Sequence, residues 1–222
     1  MWSGQCVIVI FSTAPSLRTE GDSNDIRMRS AKGFTLLEVM IVMALGVIIA
    51  AIAIPMSGNA LGFFRLSGDA RALSNSVALS KMRAASIFGK VRLFVDLGGK
   101  TYHLETFDST SAICCWHAEG GTSQLSTGVS FSHGVVSTAP PNTQGTIGQA
   151  PLCKSDEGAD VANTACIIFN SRGAPVDSSG APIVDALYVT DGTAVYGTTV
   201  SATGMVRTWR TLPNATPSWG LQ

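Results

Sequence analysis

The sequence has few charged and few aromatic residues, and it lacks the short motifs that mark common enzymes. Charged residues make up 14% of the 222 positions and aromatic residues 7%, and fifteen basic side chains balance fifteen acidic ones. A chain without net charge gives no compositional reason to expect nucleic acid or an acidic substrate as a partner. The chain contains no G-x-S-x-G, no H-E-x-x-H and no phosphate-binding glycine loop.

Histidine is also scarce. His103, His117 and His133 are the only three, and none has an evident partner for a catalytic triad in the sequence. No Cys-x-x-Cys spacing favours zinc, although four thiols with His117 nearby leave a zinc site as an alternative. We therefore predict that the protein is not an enzyme and has no cofactor and no metal site.

What the chain does contain is a long apolar run. From Phe34 to Met56 the residues are almost wholly apolar, which is enough to cross a hydrocarbon core of about 30 Å. Arg29 and Lys32 precede the run, and the positive-inside tendency places that end in the cytoplasm. The run is therefore predicted to be a transmembrane helix, and the part of the chain that follows it to lie in the periplasm or outside the cell.

Glu38 is the unexpected residue in this run. A carboxylate in a membrane span costs about 2.5 to 3.5 kcal/mol unless it is neutral or paired. A protonated or interfacial side chain is one explanation. The other is that cleavage between Gly33 and Phe34 creates an α-amino group, which pairs with Glu38 on a neighbouring helix.

The residues before the apolar run read as a leader. The early segment "CVIVIF" is too short for a secretory signal and is followed by a polar stretch, whereas "MRSAKG" from Met28 is a short basic leader. We predict that residues 1–33 are a leader, in which 28–33 form the functional part and 1–27 come from a mis-set start. A genuine long leader is the alternative.

The stretch "KGFTLLEVMIVMALGVIIAAIAIP" resembles the N-terminus of type IV prepilins and of the pseudopilins of type II secretion systems. The resemblance implies that a prepilin peptidase cleaves after Gly33 and N-methylates Phe34. It further implies that Thr35 and Glu38 belong to the assembly motif, with Glu38 pairing with the terminal amine of an adjacent subunit. Pro55 falls where pilins often carry a helix-kinking proline.

Beyond the assembly helix of residues 34–56, the pattern predicts an amphipathic stem over 57–89. Apolar residues recur there at helical spacing, and Gly89 is predicted to end the helix near Phe88. The residues predicted to form the apolar face are Leu66, Ala70, Leu73, Val77 and Met82.

Residues 90–222 are predicted to form a β-rich domain, which makes the fold class α+β. "KVRLFVDLGGKTYHLETF" reads as a β-hairpin around its Gly-Gly pair. The later strands are predicted in "GVSFSHGVV", "ACIIFNSRGAPV", "DALYVTDGTAVYGTTVS" and "GMVRTWR". The segment "STAPPNTQGTIGQAPLCKSDEGADVANTA" has turn composition and is predicted to be a long surface loop.

Four cysteines remain after the leader, and they are predicted to lie in an oxidising compartment. They are Cys114, Cys115, Cys153 and Cys166, which allow three pairings. A bridge between the adjacent pair would be strained. We therefore predict one or two bridges from that pair to the other two cysteines, fastening the long loop to the sheet.

The C-terminal part resembles GspH/FimT-type minor pilins and pseudopilins, which implies a pilin fold. Phe169, Arg172, Gly173 and Pro175 match the strand and turn of that pattern. The pattern of the last strand is represented by "GMVRTWR", which begins at Gly204. The Arg-Gly pair is interpreted as a tight turn in which glycine supplies the positive φ.

Some FimT-type proteins bind DNA through basic residues near the last strand, and the resemblance makes Arg207 and Arg210 the candidate contacts here. Met205 stands where the first arginine of the pattern would be, which weakens this interpretation. On a regular strand Arg207 and Trp209 share one face while Arg210 points to the other. With Trp209 covering the core, both arginines would then be solvated.

Taken together, the resemblances imply a minor pilin or pseudopilin, a non-catalytic structural subunit processed by prepilin peptidase. Its partners would be other pilin or pseudopilin subunits, the inner-membrane assembly platform and membrane lipid. It would be a single-pass inner-membrane protein with a periplasmic C-terminal domain before it enters a type IV pilus or a type II secretion pseudopilus. The alternatives are a competence pseudopilin that binds DNA and an unprocessed membrane-anchored adhesin or receptor domain.

Overall fold

The computed structural model describes residues 33–108, 110 and 115–222, with the backbone alone over 52–60. Within these ranges the chain forms one α-helix followed by ten β-strands. The elements are α1 Leu36–Ser86, β1 Val91–Asp96, β2 Thr101–Asp108, β3 Cys115–Gln124, β4 Ser130–Phe131, β5 Thr164–Phe169, β6 Pro175–Val176, β7 Asp185–Thr190, β8 Val195–Val200, β9 Val206–Thr211 and β10 Gly220–Leu221. The chain divides into two compact units between Val47 and Ile48.

The strands form two antiparallel sheets within the second unit. One sheet has the order β3-β2-β1-β5-β6 and the other β10-β9-β8-β7-β4. The predicted hairpin is present, with β1 and β2 paired from Val91 opposite Thr106 to Asp96 opposite Thr101. An N-terminal helix packed on a C-terminal antiparallel sheet domain confirms the predicted α+β class.

The apolar face of α1 forms the main core with both sheets. Leu66, Ala70, Leu73 and Val77 are buried, as their helical spacing predicts. Met82 is 60% exposed, so its assignment to this face was wrong, and Ala84 occupies the core position near the end of the helix. The reason is geometric, because Ala84 lies seven residues after Val77 and returns to the same face, whereas Met82 does not.

Helix α1 ends at Ser86, before the predicted Gly89. Phe88, rather than a glycine, adopts the left-handed conformation with φ 51°. The amide of Gly89 donates to the carbonyl of Ala84 at 3.2 Å, and the amide of Phe88 donates to the carbonyl of Ala85 at 3.4 Å. These two hydrogen bonds are those of a Schellman cap, which satisfies the last carbonyls of the helix.

The conformation of Phe88 leads to a stability prediction. Phe88 is 87% exposed, so its ring contributes little to the core, while left-handed backbone costs an L-residue about 1–2 kcal/mol. Glycine removes this cost but also raises the entropy of the unfolded chain, which offsets part of the gain. Phe88→Gly is therefore expected to stabilise the protein by about 0.5–1 kcal/mol. The midpoint of thermal unfolding would measure this. Phe88→Ala should give no such gain, and an equal gain from alanine would contradict the explanation.

The long loop between β4 and β5 is more than a surface connection. Val136 and Ile147 of this loop are buried against Ala186, Tyr188 and Val195 of β7 and β8 and form a second apolar cluster. The loop therefore covers the face of the second sheet that points away from α1. This explains why β7 and β8 are buried on both faces and corrects the prediction of a purely surface loop.

Two turns meet α1 in a close junction. Gly173 lies in the turn after β5 with φ 72°, and Gly204 in the turn before β9 with φ 78°. The Oδ1 atom of Asn170 accepts the amides of Arg172 and Ala174 at 2.9 and 3.1 Å, which confirms the predicted tight turn. The ammonium group of Lys81 on α1 donates to the carbonyl of Gly204 at 2.8 Å.

The membrane span predicted over residues 34–56 is not confirmed. Among the described residues, no helix has the length and apolar character needed to cross a membrane.

Candidate functional site

The residues of the predicted assembly motif surround the start of α1. Thr35 immediately precedes the helix, and its Oγ1 accepts the backbone amide of Glu38 at 3.2 Å. A threonine followed three residues later by glutamate is the capping-box pattern, which satisfies free amides of the first helical turn. Glu38 also places a negative charge in this turn, which the helix dipole favours. Sequence reasoning missed this local role of Thr35 and Glu38, although the Thr-x-x-Glu spacing signals it.

The predicted cleavage point is open to solvent. Gly33 and Phe34 are exposed and precede the first helical residue, Leu36. The side chain of Phe34 is 81% exposed. A peptide bond in exposed, non-helical chain is accessible to a protease, whereas one inside a helix is not. The helix continues through Pro55.

Within the first unit, the start of α1 exposes an apolar surface on every side. Phe34, Glu38, Val39, Val42 and Met43 line a shallow concavity of about 240 Å³. An exposed apolar surface of this extent marks a site of membrane or protein contact. Its large side chains are all at least 47% exposed, and they are Phe34, Leu36, Leu37, Val39, Met40, Ile41, Val42, Met43, Leu45 and Val47.

The two arginines named as DNA contacts lie on opposite faces of β9. Arg207 is exposed, whereas the guanidinium of Arg210 lies 5.5 Å from the ring centre of Phe63 on α1. Trp209 is buried and its indole N–H donates to Thr199 Oγ1 at 3.0 Å. The predicted alternation is therefore present. The expectation that both arginines are solvated was wrong for Arg210, whose Nε is buried without a hydrogen-bond partner.

The cysteine pairing differs from the prediction. Cys153 in the long loop is bonded to Cys166 in β5, with an S–S distance of 2.04 Å. The predicted bridges from Cys114 and Cys115 to these two residues are therefore wrong, while the predicted fastening of the loop to the sheet is present. The loop runs beside β5, since the amide of Cys166 donates to the carbonyl of Pro151 at 2.8 Å. Cys115 has a partner, and Cys114 lies outside the described residues.

The histidines take part in local contacts. His103 stacks on Phe94 and places Nε2 3.1 Å from Glu105 Oε1. His133 places Nδ1 2.9 Å from the carbonyl oxygen of Val136. Over the described ranges no three or more His, Cys, Asp or Glu side chains are grouped to hold a metal ion.

Asp185, at the start of β7, is a candidate site residue that the sequence analysis did not name. Its side chain is 1% exposed, and its Oδ1 has no hydrogen-bond partner. Burial, with a smaller effect of the neighbouring Asp177 carboxylate, raises the pKa of Asp185 from its ordinary value of 3.8 to about 7. A strongly perturbed carboxyl group at a cavity is a recognised mark of a functional site. In the sequence, Asp185 could have been noticed because it is a charged residue at the start of the otherwise apolar segment "DALYV".

Comparison with known proteins gives a match to a family model and similarities to solved structures. Residues 28–54 match the prokaryotic N-terminal methylation motif, so the predicted motif of type IV prepilins is present. No curated protein matches the chain significantly. The minor pseudopilin EpsH of the Vibrio cholerae type 2 secretion system is similar at 10% identity and a TM-score of 0.42, covering 65% of this chain and 95% of that one. The type IV minor pilin FimU of Pseudomonas aeruginosa is similar at 12% identity and a TM-score of 0.38, covering 69% and 92%.

Proposed function

We propose, from the premise that residues 28–54 carry the N-terminal methylation motif of type IV prepilins, that this protein is a minor pilin or pseudopilin. It acts as a non-catalytic structural subunit of a type IV pilus or a type II secretion pseudopilus. Prepilin peptidase cleaves it after Gly33 and methylates the new amine of Phe34. The motif match carries the proposal, and the exposed, non-helical position of the cleavage point supports it.

The apolar start of α1 supports assembly as the mode of action. Its large side chains are exposed on all sides in the single chain. Burial of apolar surface contributes about 25 cal/mol per Å², so covering these side chains strongly favours association. Lipid covers them before assembly, when the subunit is held in the inner membrane with its C-terminal domain in the periplasm. Other pilin or pseudopilin helices cover them after an inner-membrane assembly platform has moved the subunit into the filament.

Glu38 has two roles in this proposal. Its backbone amide is capped by Thr35, and its carboxylate pairs with the methylated amine of Phe34 on a neighbouring subunit. A charge among apolar side chains is tolerated when an opposite charge meets it. The pairing therefore favours one axial register between adjacent helices, because only that register neutralises both charges.

The test combines the processed terminus with two substitutions of Glu38. The full chain is produced in a host that contains the prepilin peptidase and filament machinery. Intact-mass and N-terminal analysis should find N-methylated Phe34 in the wild type and in both variants. Glu38→Val removes both the charge and the polar side chain, whereas Glu38→Gln removes the charge and keeps a polar side chain of nearly the same shape. Both are expected to reduce incorporation into filaments at least tenfold.

The outcomes separate the parts of the proposal. A chain that retains the residues before Phe34 would indicate an unprocessed membrane anchor, and the proposed function would fail. Normal processing with normal incorporation of Glu38→Gln would show that assembly does not need the charge of Glu38, and the proposed ion pair would fail. Gene neighbours would distinguish a pilus from a secretion or competence system. Arg210 packs on Phe63, so it cannot act together with Arg207 on one surface. For this reason the proposal does not include DNA binding.

A further inference from the structure

A cavity of about 310 Å³ lies on the face of the first sheet that points away from α1. Cys166 and Ile168 of β5 line it, while the alternating Ile167 and Phe169 point into the core beneath the helix. Strand alternation therefore separates the cavity from the helix-packed core. Its volume is within the range of about 300–1,000 Å³ typical of ligand sites.

The buried carboxyl group of Asp185 lines this cavity. Its Oδ1 is enclosed by protein and accepts no hydrogen bond from it. A buried polar atom without a partner costs about 1–3 kcal/mol, and more when it is charged. A buried, unsatisfied carboxyl group in the lining of a cavity is the arrangement expected when the missing donor comes from a ligand.

The other charged residues around the cavity favour a cationic ligand. Asp160 and Asp177 also line it, and among the described residues Lys154 is the one cation in its lining. The ammonium group of Lys154 lies 2.6 Å from Asp160 Oδ1, and both side chains are well exposed. This pair leaves two further carboxylates, Asp177 and Asp185, for one incoming cation. The part of the chain that the structure describes contains no group of acidic side chains that could hold a metal ion, which favours an ammonium or guanidinium group.

A second cavity of about 450 Å³ continues from the first and shares Lys154, Ile168, Asp177 and Ser178 with it. Phe107 and Trp116 line its other end, with ring centres 5.1 Å apart. The guanidinium of Arg92 stacks 4.2 Å from the ring centre of Trp116 and also pairs with Glu105. The groove therefore has an anionic end at Asp177 and Asp185 and an aromatic end at Phe107 and Trp116. Two cations, Lys90 and Arg92, lie against the rings of the aromatic end.

We propose that this groove binds an extended segment of a protein partner, with a lysine or arginine side chain in the cavity of Asp185 and an apolar side chain beside it on Phe107 and Trp116. The cation completes the hydrogen bonding of the buried carboxylate, and the aromatic end fixes the direction of the segment. The argument is one of charge and shape complementarity. It is independent of the proposed role of α1 in filaments.

The experiment is calorimetric titration of the full chain, in a non-ionic detergent, with three capped peptides. The first is Ala-Lys-Ala-Leu-Ala, in which lysine and leucine share one side of an extended chain. The second carries norleucine in place of the lysine, and the third carries alanine in place of the leucine. Butylammonium serves as the free amine. The lysine peptide should show saturable binding, the norleucine peptide should bind at least tenfold more weakly, and butylammonium should bind more weakly than either lysine peptide.

Two variants locate the site. Asp185→Asn is expected to lower the affinity for the lysine peptide at least tenfold. Asp160→Asn, which changes the exposed pair with Lys154, should alter that affinity less than threefold. Trp116→Ala should reduce the difference between the leucine and alanine peptides. Equal binding of the lysine and norleucine peptides, or unchanged binding by Asp185→Asn, would overturn the proposal. No saturable binding of the lysine peptide would overturn it as well. Equal affinity for butylammonium and the peptide would overturn the assignment to a protein segment.

The pH dependence of peptide affinity is a second test of the same site. None of the described residues that line the two cavities is a histidine, and Asp185 is the lining group with a pKa of about 7. The cation binds the ionised carboxylate, and about one tenth of such groups are ionised one unit below the pKa. The lysine peptide should therefore bind about tenfold more weakly at pH 6 than at pH 8. Asp185→Asn should remove this dependence, and an affinity that stays constant with pH in the wild type would contradict the site.

Discussion

Replacing Gly204 by alanine is expected to destabilise the protein by about 3 kcal/mol or more, because two separate costs combine at this residue. A Cβ atom added at Gly204 would lie 2.2 Å from the carbonyl oxygen of Gly173. The carbonyl oxygen belongs to the backbone and the position of a Cβ atom is fixed by the backbone, so a change of side-chain rotamer cannot relieve the overlap. The added methyl would also approach Lys81 Cε at 3.4 Å, the side chain whose ammonium group binds the carbonyl of Gly204.

The second cost is conformational. Gly204 has φ 78°, where an L-residue is disfavoured by about 1–2 kcal/mol. Gly192 provides a matched control, since it has φ 87° and a Cβ atom there would have no neighbour within 4 Å. Gly192→Ala should therefore cost about 1 kcal/mol, which is the conformational contribution alone.

Denaturant unfolding of the full chain, followed by near-ultraviolet circular dichroism, measures both variants. The difference between Gly204→Ala and Gly192→Ala isolates the cost of the overlap with Gly173. If the two variants were equally stable, the close approach of the two turns would be contradicted. The contact explains in structural terms why residue 204 is a glycine.

Asp185 should make the protein less stable as the pH rises from about 4 to about 7. Its pKa is about 7 in the folded state against an ordinary value of 3.8, so the folded protein holds this proton more tightly than the unfolded chain. The stabilising contribution of the protonated group is complete below pH 3.8 and is lost as the pH passes through 7. At 1.36 kcal/mol for each pKa unit, the loss is about 4 kcal/mol.

The substitution Asp185→Asn tests this prediction. The amide has nearly the same shape and does not ionise, so the variant should be more stable than the wild type at pH 8 by about 3–4 kcal/mol and about equal to it at pH 4. Taking the difference between the two proteins removes the contributions of Glu157, Asp177 and Asp191. Hydrogen bonds lower the pKa values of those groups, and their contributions therefore appear in acid.

Free energies of unfolding for both proteins at each pH unit from 4 to 8 would suffice. A constant difference across this range would show that the Asp185 carboxyl is satisfied in the folded protein, and it would also weaken the proposed cation site. Destabilisation by an ionised residue facing a cavity fits the common observation that binding sites sacrifice stability.

Local patterns predicted several elements correctly. Helical spacing identified Leu66, Ala70, Leu73 and Val77 as core residues, because a helix buries one stripe and the period shows which residues share it. The Gly-Gly pair and its flanking alternation predicted the β1–β2 hairpin. Met82 was wrongly assigned to the core, because its spacing from Val77 does not return to the same face of a helix.

Strand β3 was not predicted. Its sequence "CWHAEGGTSQ" lacks alternation and contains two glycines, and most of its residues are exposed. It exists because its backbone pairs with β2, from Asp108 opposite Cys115 to Thr101 opposite Gln124. Such an edge strand follows from hydrogen bonding to a neighbour rather than from its own side chains.

By itself, the sequence determined the features of this protein that depend on neighbouring residues: the methylation motif, the Thr-x-x-Glu capping pattern, the helix and its core stripe, and most strands. The tertiary structure alone decided which distant residues meet. It paired Cys153 with Cys166, brought Gly204 against Gly173, placed the long loop on the second sheet and left Asp185 unpartnered beside a cavity. The physical reason is that periodicity and capping act over a few residues, whereas disulfides, close approaches and buried charges depend on chain segments that only folding brings together.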